Sequence, residues 1–72
     1  MTVLPELVVM VNGEAQRLAT GTSVADLVSA LAGGGRGTAV ARNGAVVPRS
    51  QWSATLLVPD DVVEVLTASQ GG

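Results

Sequence analysis

The chain has 72 residues with a formal net charge of −2 at pH 7, and 47% of its residues are hydrophobic. This length suits one small domain, and so large an apolar fraction argues against a disordered chain. The acidic balance, with four Arg and no Lys, argues against a nucleic-acid-binding protein. The chain has no Cys and no His, so it lacks common nucleophiles and the commonest metal ligand, and we expect neither a metal site nor a cofactor.

The expected cellular location follows from the same composition. No apolar run approaches the ~18 residues of a membrane span. The first residues carry no basic segment of the kind that opens a signal peptide, and the absence of Cys fits a reducing compartment. We therefore expect a cytoplasmic protein that does not enter a membrane.

The first predicted element is a β-hairpin. Residues 7–12 (LVVMVN) are apolar and rich in Val, and Asn12-Gly13 is a strong signal for a two-residue turn into a returning strand at 14–19. Because side chains alternate along a strand, one set should face a core and Met10 should point away from it. The expected core residues are Leu7, Val9 and Val11.

A helix is predicted after the hairpin. Ser23 is a suitable N-cap, and Asp26 lies three residues later, where its carboxylate also suits the positive end of the helix dipole. Apolar residues at helical spacing form one stripe, which we expect to meet the sheet: Val24, Leu27, Val28 and Leu31. Three glycines at 33–35 should end the helix.

The second half of the chain predicts more strand than helix. In chain order we expect a strand at 38–43, a tight turn at 43–44, a strand at 45–47, a helical turn or loop at 49–52, an extended piece at 55–58, a turn at 59–61 and a last strand at 62–67. Val63 and Val65 should be the core pair of that last strand, because Glu64 between them must stay in water. Trp52 is expected to fill the core, and Arg49 to fix a loop by hydrogen bonds.

The element order β-β-α-β-β-β indicates an α+β fold. We expect a mixed four- to five-stranded sheet with one main helix packed on one of its faces. Residues 1–67 should form this domain. Residues 68–72 are small and polar, and we expect them to project from it as a flexible tail.

The tail ends at Gly71-Gly72. A side chain beside an activated carboxyl group would hinder both the enzyme that binds it and the nucleophile that attacks it, and glycine removes that obstacle. The terminal carboxylate of Gly72 is therefore a candidate functional group. A flexible chain end without a role is the alternative interpretation.

Six segments of the chain together resemble the ThiS family, the ubiquitin-like sulfur carriers of thiamine biosynthesis. They are 11–13 (VNG), 22–27 (TSVADL), 39–44 (AVARNG), 46–52 (VVPRSQW), 61–65 (DVVEV) and 67–72 (TASQGG), of which 46–52 is the most specific. The resemblance covers about residues 8 to 72 and implies the β-grasp fold. The chain departs from the family in its extension Met1–Glu6, in a turn at 59–61 without the usual glycine, and in Ser69, where an apolar residue is usual.

The resemblance implies a protein cosubstrate, not an enzyme. An E1-like adenylyltransferase of the ThiF type would activate the Gly72 carboxylate with ATP. A sulfur donor, such as a cysteine desulfurase or a persulfide protein, would then displace AMP and leave a C-terminal thiocarboxylate. A thiazole synthase of the ThiG type would take that sulfur for the thiazole ring of thiamine. Partners would recognise the tail through Gly71, Gln70 and Ser69.

A partner-binding surface is expected on the sheet face that the helix leaves open. Its candidate residues are Met10, Leu66 and Glu64. Because the first and last strands are neighbours in a β-grasp fold, we expect Met10 and Leu66 side by side; the alternative is that both are buried by loops or scattered singly over the surface. We interpret three acidic residues as a solvated face: Asp60, Asp61 and Glu64. An acidic rim that attracts Arg-bearing partners is the less favoured interpretation.

Three other functions stay open at this point. Another sulfur carrier of the same fold, such as the small subunit of molybdopterin synthase or a carrier for cysteine synthesis, usually has a different tail and no segment like 48–52. A protein modifier would join the same diglycine to lysines of its targets. An interaction module would use its sheet surface and leave the tail without a role.

Overall fold

The computed structural model describes residues 6–32 and 36–68. In that part the chain forms five strands and one α-helix: β1 (Glu6–Val11), β2 (Glu14–Ala19), α1 (Val24–Ala32), β3 (Thr38–Arg42), β4 (Ala45–Val47) and β5 (Val62–Thr67). A 3-10 turn spans Arg49–Gln51. The predictions for residues 1–5, for the glycines at 33–35 and for the tail at 69–72 lie outside the described residues.

The described strands form a mixed sheet in the order β2-β1-β5-β3-β4. β1 and β5 run parallel, with Met10 opposite Val62, and the other neighbouring pairs are antiparallel. The last strand in the sequence therefore lies at the centre of the sheet. One helix against a five-stranded mixed sheet in this order is the β-grasp architecture, which confirms the predicted fold class.

The core lies between α1 and one face of the sheet. Its buried apolar residues are Leu7, Val9, Val11, Val24, Leu27, Val28, Val40, Trp52, Leu57, Val63 and Val65. The alternation predicted for β1 and β5 is confirmed, with Glu64 exposed between its two buried neighbours. Removal of these side chains from water, at about 1.5–3 kcal/mol for each large one, is the main force that holds the helix to the sheet.

Both Asn-Gly pairs form the tight turns that the sequence predicts. The backbone angle φ is +51° at Asn12 and +85° at Gly13, and it is +51° at Asn43 and +84° at Gly44. Positive φ at both central residues defines the type I′ turn, whose twist matches that of paired strands. The two turns set the registers of β1 with β2 and of β3 with β4.

The helix begins as the sequence predicts. Ser23 N–H donates to Asp26 Oδ2 at 3.1 Å, and Asp26 N–H donates to Ser23 Oγ at 3.0 Å. This reciprocal pair satisfies two backbone donors at the start of the helix that have no carbonyl partner within it. Among the described residues, no helix is long and apolar enough to cross a membrane.

The prediction that Leu31 meets the sheet is wrong. Leu31 is 49% exposed, whereas Leu27 and Val28 are buried. The first two turns of α1 cover the sheet, and Leu31 on the last turn borders a cleft that polar side chains also line, among them Gln16 and Thr67. The apolar stripe of α1 therefore extends one turn beyond the core.

The extended piece predicted at 55–58 is not a sheet strand. Its one pairing in the described structure is an isolated bridge between Ser23 and Leu56. Leu57 N–H donates to the Thr22 carbonyl at 2.9 Å, and Val24 N–H donates to the Thr55 carbonyl at 2.9 Å. The segment therefore fastens the start of α1 and inserts Leu57 into the core.

The segment at 48–52 has a structural explanation. Trp52 is buried, as predicted, and its indole Nε1–H donates to the Val47 carbonyl at 2.9 Å. The Arg49 guanidinium lies 4.9 Å from the centre of the Trp52 ring, within cation–π distance. These contacts cover the core next to β4. The segment at 48–52 therefore has a packing role.

The turn before β5 departs from the family pattern at a cost in backbone strain. Asp60 has φ of +72°, in the left-handed region that favours glycine. Asp is one of the few other residues that enter this region readily. Asp60 N–H donates to the Val8 carbonyl at 3.0 Å, so the turn is tied to β1 and starts β5 at a fixed position.

Candidate functional site

The candidate site has a described part and a part outside the described residues. Gly72, Gly71, Gln70 and Ser69 lie outside it. The described part consists of β5, the tail root, by which we mean Thr67 and Ala68, and the sheet face opposite α1, which we call the open face. The geometry below concerns how these elements are placed.

The open face carries several exposed apolar side chains on adjacent strands. They are Val8 and Met10 on β1, Val62 and Leu66 on β5, and Val46 on β4. The register adds small residues next to them, because Met10 also lies opposite Ala15 and Leu66 lies opposite Ala39. Exposed apolar side chains grouped on one sheet face are typical of an interaction site.

The three candidate interface residues share the open face, but Met10 and Leu66 do not lie side by side. Met10 is 37% exposed and Leu66 is 67% exposed, so neither is buried by loops. The neighbour of Met10 on β5 is Val62, four residues before Leu66, which places the two side chains about 13 Å apart along the strand. Exposed Glu64 lies between them.

The sequence reasoning missed Val8, Val46 and Val62 of this surface, and Val62 lies directly beside Met10. The signal was present, since alternation along β5 puts Val62 on the same face as Glu64 and Leu66. What the sequence does not show is the parallel register that sets Val62 beside Met10.

Two asparagine side chains hold β5 at its two edges. Val65 N–H donates to Asn12 Oδ1 at 2.8 Å, and Asn12 Nδ2 donates to the Val65 carbonyl at 3.1 Å. Val62 N–H donates to Asn43 Oδ1 at 2.8 Å, while Asn43 N–H donates to the Val62 carbonyl at 2.7 Å. Each Asn thus extends the hydrogen-bond ladder of β5 past the end of a neighbouring strand.

The interpretation of Asp61 as part of a solvated acidic face is wrong. Asp61 is only 3% exposed. Its Oδ2 accepts a hydrogen bond from Val58 N–H at 2.9 Å and lies 3.1 Å from Arg42 Nε, while Oδ1 accepts one from Asn43 Nδ2 at 3.0 Å. The carboxylate is therefore a structural anchor at the start of β5.

The environment of Asp61 favours its charged form. Burial alone would raise the pKa of this carboxyl, but the hydrogen bonds from Val58 N–H and the Asn43 amide, together with the charge of Arg42, outweigh it. The pKa of Asp61 is held below its ordinary value as a result. The start of β5 thus depends on an ionised carboxylate.

At its other end, β5 is paired with β3 up to the tail root. Thr67 lies opposite Thr38, and Ala68 N–H donates to the Gly37 carbonyl at 2.7 Å. The Thr38 hydroxyl is buried and has no hydrogen-bond partner within the described ranges. The central strand is thus hydrogen-bonded to β3 and its preceding turn as far as Ala68, the last described residue.

The arrangement suits presentation of the tail to a partner protein. The described ranges contain no group of acidic side chains that could hold a metal ion. They do contain a central strand anchored at several points, an apolar open face beside it, and a tail root where that strand ends. A partner that binds the open face would find the chain terminus within the reach of four residues from Ala68.

Comparison with known proteins identifies a family and a solved structure to which the chain is similar. The model of the ThiS family matches residues 8–72. The crystal structure of the thiamine biosynthesis protein (ThiS) from Geobacter metallireducens is 31% identical in sequence, covers 92% of this chain and 100% of its own, and superimposes with a TM-score of 0.71. No curated protein matches the chain significantly. The family match includes all of β5 and the terminal diglycine.

The Asp61 anchor predicts a defined pH dependence of stability. Because the pKa of Asp61 is lower in the folded protein, its contribution is complete above about pH 4 and is lost as the pH falls through the folded value. Asp61→Asn should cost about 2 kcal/mol at pH 7. It should also flatten the acid limb of a plot of unfolding free energy against pH, measured by urea denaturation.

Glu64→Gln is the matched control, because Glu64 is exposed on the same strand. It should leave both the stability at pH 7 and the acid limb unchanged. An Asp61→Asn variant that loses stability in acid as steeply as the wild type would contradict the assignment.

Proposed function

The chain belongs to the ThiS family, and on that premise we propose that it is a sulfur carrier protein in the biosynthesis of thiamine. The observation that carries this proposal is the family match over residues 8–72, which extends through the terminal Gly71-Gly72. The similarity to a thiamine biosynthesis protein over the whole of that protein supports the same function. Residues 1–67 serve as the carrier domain and residues 68–72 as its tail, and the protein works in the cytoplasm.

The reacting group is the carboxylate of Gly72. An oxygen of this carboxylate attacks the α-phosphorus of ATP on an E1-like adenylyltransferase of the ThiF type, and pyrophosphate leaves. The resulting acyl adenylate is an electrophile, which a free carboxylate is not. The outer sulfur of a persulfide on a cysteine desulfurase or another persulfide protein attacks the acyl carbon and displaces AMP, which gives an acyl disulfide. A second thiol then attacks the donor's cysteine sulfur, forms a disulfide with it and releases the chain with a terminal thiocarboxylate.

The thiocarboxylate is the form that delivers sulfur. A thiazole synthase of the ThiG type takes the sulfur into the thiazole ring of thiamine and returns the carrier with its carboxylate. The carrier supplies the reactive terminus and a surface that its partners recognise, and those partners supply the catalysis. It is a cosubstrate of these enzymes, not an enzyme.

The composition of the tail suits this chemistry. Gly71 and Gly72 place no side chain next to the acyl carbon, so both the enzyme and the sulfur nucleophile can approach it. The chain has no Lys, so its activated terminus meets no lysine amine on another copy of the carrier. Gln70 and Ser69 are the tail residues that partners recognise in addition to the diglycine.

Partners dock on the open face. Its exposed residues Met10, Val62 and Leu66 supply apolar contact, and Glu64 among them supplies a charge that fixes orientation. Leu66 directly precedes the tail root, so a partner bound there lies next to the departing tail. Docking and presentation of the terminus are thus coupled by one strand.

Removal of Gly72 tests the function directly. The protein is incubated with ATP, a ThiF-type enzyme and a sulfur donor, and its intact mass is measured. We expect replacement of one carboxylate oxygen by sulfur in the wild type and no change of mass in the variant that lacks Gly72. Complementation of a carrier-deficient, thiazole-requiring strain by that variant would contradict the proposal.

Leu66→Glu tests the docking surface. Loss of a central apolar contact should lower kcat/KM for adenylation about tenfold, which corresponds to about 1.4 kcal/mol. Folding should be unaffected because the side chain is already exposed. Leu31→Glu is the matched control, since Leu31 is exposed on the helix side of the sheet. Equal losses in the two variants would contradict docking on the open face.

A further inference from the structure

The last hydrogen bond of the described chain ties the tail root to the start of β3. Along the edge that β5 shares with β3, Leu66 lies opposite Ala39, and the next donor, Ala68 N–H, reaches the Gly37 carbonyl at 2.7 Å. On the edge toward β1, the last contact is the one between Asn12 and Val65. Release of the bond from Ala68 to Gly37, which we call the tail clasp, would therefore free the chain back to Leu66.

Gly37 has the conformation that this clasp requires. Its φ is +69°, in the left-handed region that side chains disfavour. A Cβ at this position would lie 3.4 Å from the Ala68 Cβ, at the close limit of contact. Glycine therefore lets the chain turn sharply into β3 while its carbonyl faces Ala68. Any other residue here would strain the backbone and place a Cβ in van der Waals contact with the tail root.

The clasp sets the length of the free tail. With the clasp closed, four residues separate Ala68 from the end of the chain, which reach about 14 Å when fully extended. With the clasp open, the anchor moves back to Leu66, and the six free residues reach about 21 Å. For a flexible tether, effective concentration falls with about the −3/2 power of length, so the local concentration of the terminus falls roughly twofold.

We propose that the tail clasp is the positioning contact that fixes where the tail leaves the sheet, and with it the placement of the Gly72 carboxylate during adenylation. The inference rests on the proposed function and assigns Gly37 a role in it. Gly37 is a positioning residue, because it acts through Ala68 and does not touch the reacting atoms. Docking uses the open face, which Gly37 does not form, so docking and placement are separable.

Because docking and placement of the Gly72 carboxylate are separable, KM reports on docking and kcat reports on placement. Steady-state adenylation is measured while the concentration of carrier is varied, for Gly37→Ala and Ala68→Pro. Proline removes the donor N–H, and the extended backbone that it favours at Thr67 is already present in β5. We expect kcat to fall at least twofold in both variants and KM to stay within twofold of the wild type. A purely structural role of Gly37 would leave kcat unchanged.

Gly44→Ala is the matched control. Gly44 also has positive φ, at +84°, but a Cβ there meets nothing within 4 Å, and the residue lies at the opposite end of β3. It therefore carries a similar backbone penalty without contact to the tail root. Its melting temperature should fall as in Gly37→Ala, while its kcat should equal that of the wild type.

A second measurement needs no enzyme. The chain has no Cys, so single cysteines introduced at Ser50 and Gln70 can carry a pair of spin labels. The distribution of distances between them should broaden in Gly37→Ala and Ala68→Pro and stay unchanged in Gly44→Ala. Wild-type values of kcat or an unchanged distribution in the clasp variants would overturn the inference. A wild-type protein that is not adenylated would overturn the proposed function, and the label distances would still decide the clasp.

Discussion

The amide group of Asn12 forms a two-way hydrogen bond with the backbone of Val65, and the placement of the central strand β5 depends on it. β1 ends at Val11, so without this side chain the far half of β5 would lack a partner on that edge. On the other edge, Asn43 Oδ1 accepts a hydrogen bond from Val62 N–H, the Asn43 backbone N–H donates to the Val62 carbonyl, and Asn43 Nδ2 donates to the buried Asp61 carboxylate. A strand anchored in this way at the centre of the sheet gives its C-terminal extension a fixed origin.

The division of the sheet into two faces follows from the size of the chain. One helix covers one face, and the buried residues of β5 alternate with Val62, Glu64 and Leu66 on the other. The open face is therefore a consequence of a two-layer fold in which the described part of the chain has one α-helix. β5 carries exposed residues of that face and continues to the tail root.

Local sequence patterns predicted the helix and the strands well. They did not predict the side-chain hydrogen bonds and the ion pair that join residues far apart in the sequence. The Asn-Gly turns and the pair of Ser23 with Asp26 depend on neighbours in the sequence, and the structure confirms them. The hydrogen bond between Asn12 and Val65 joins residues 53 positions apart, so the sequence around Asn12 does not predict it. Asp61 looked solvated because Arg42, its partner, lies on another strand. The chemistry of the tail was inferred from the terminal glycines and from the resemblance of the chain to the ThiS family. Those glycines lie outside the described residues.

Amide hydrogen exchange of β5 in Asn12→Gly and Asn43→Gly tests most directly whether these side chains hold the strand. Glycine keeps the positive φ of each turn. Asn12→Gly removes both hydrogen bonds between the Asn12 amide and Val65, and Asn43→Gly removes the one from Val62 N–H together with the one to Asp61. We predict that exchange of the Val65 amide speeds up at least tenfold in Asn12→Gly, and that the Val62 amide does so in Asn43→Gly. Each amide should stay protected in the other variant. A Val65 amide that stays as protected in Asn12→Gly as in the wild type would contradict the account.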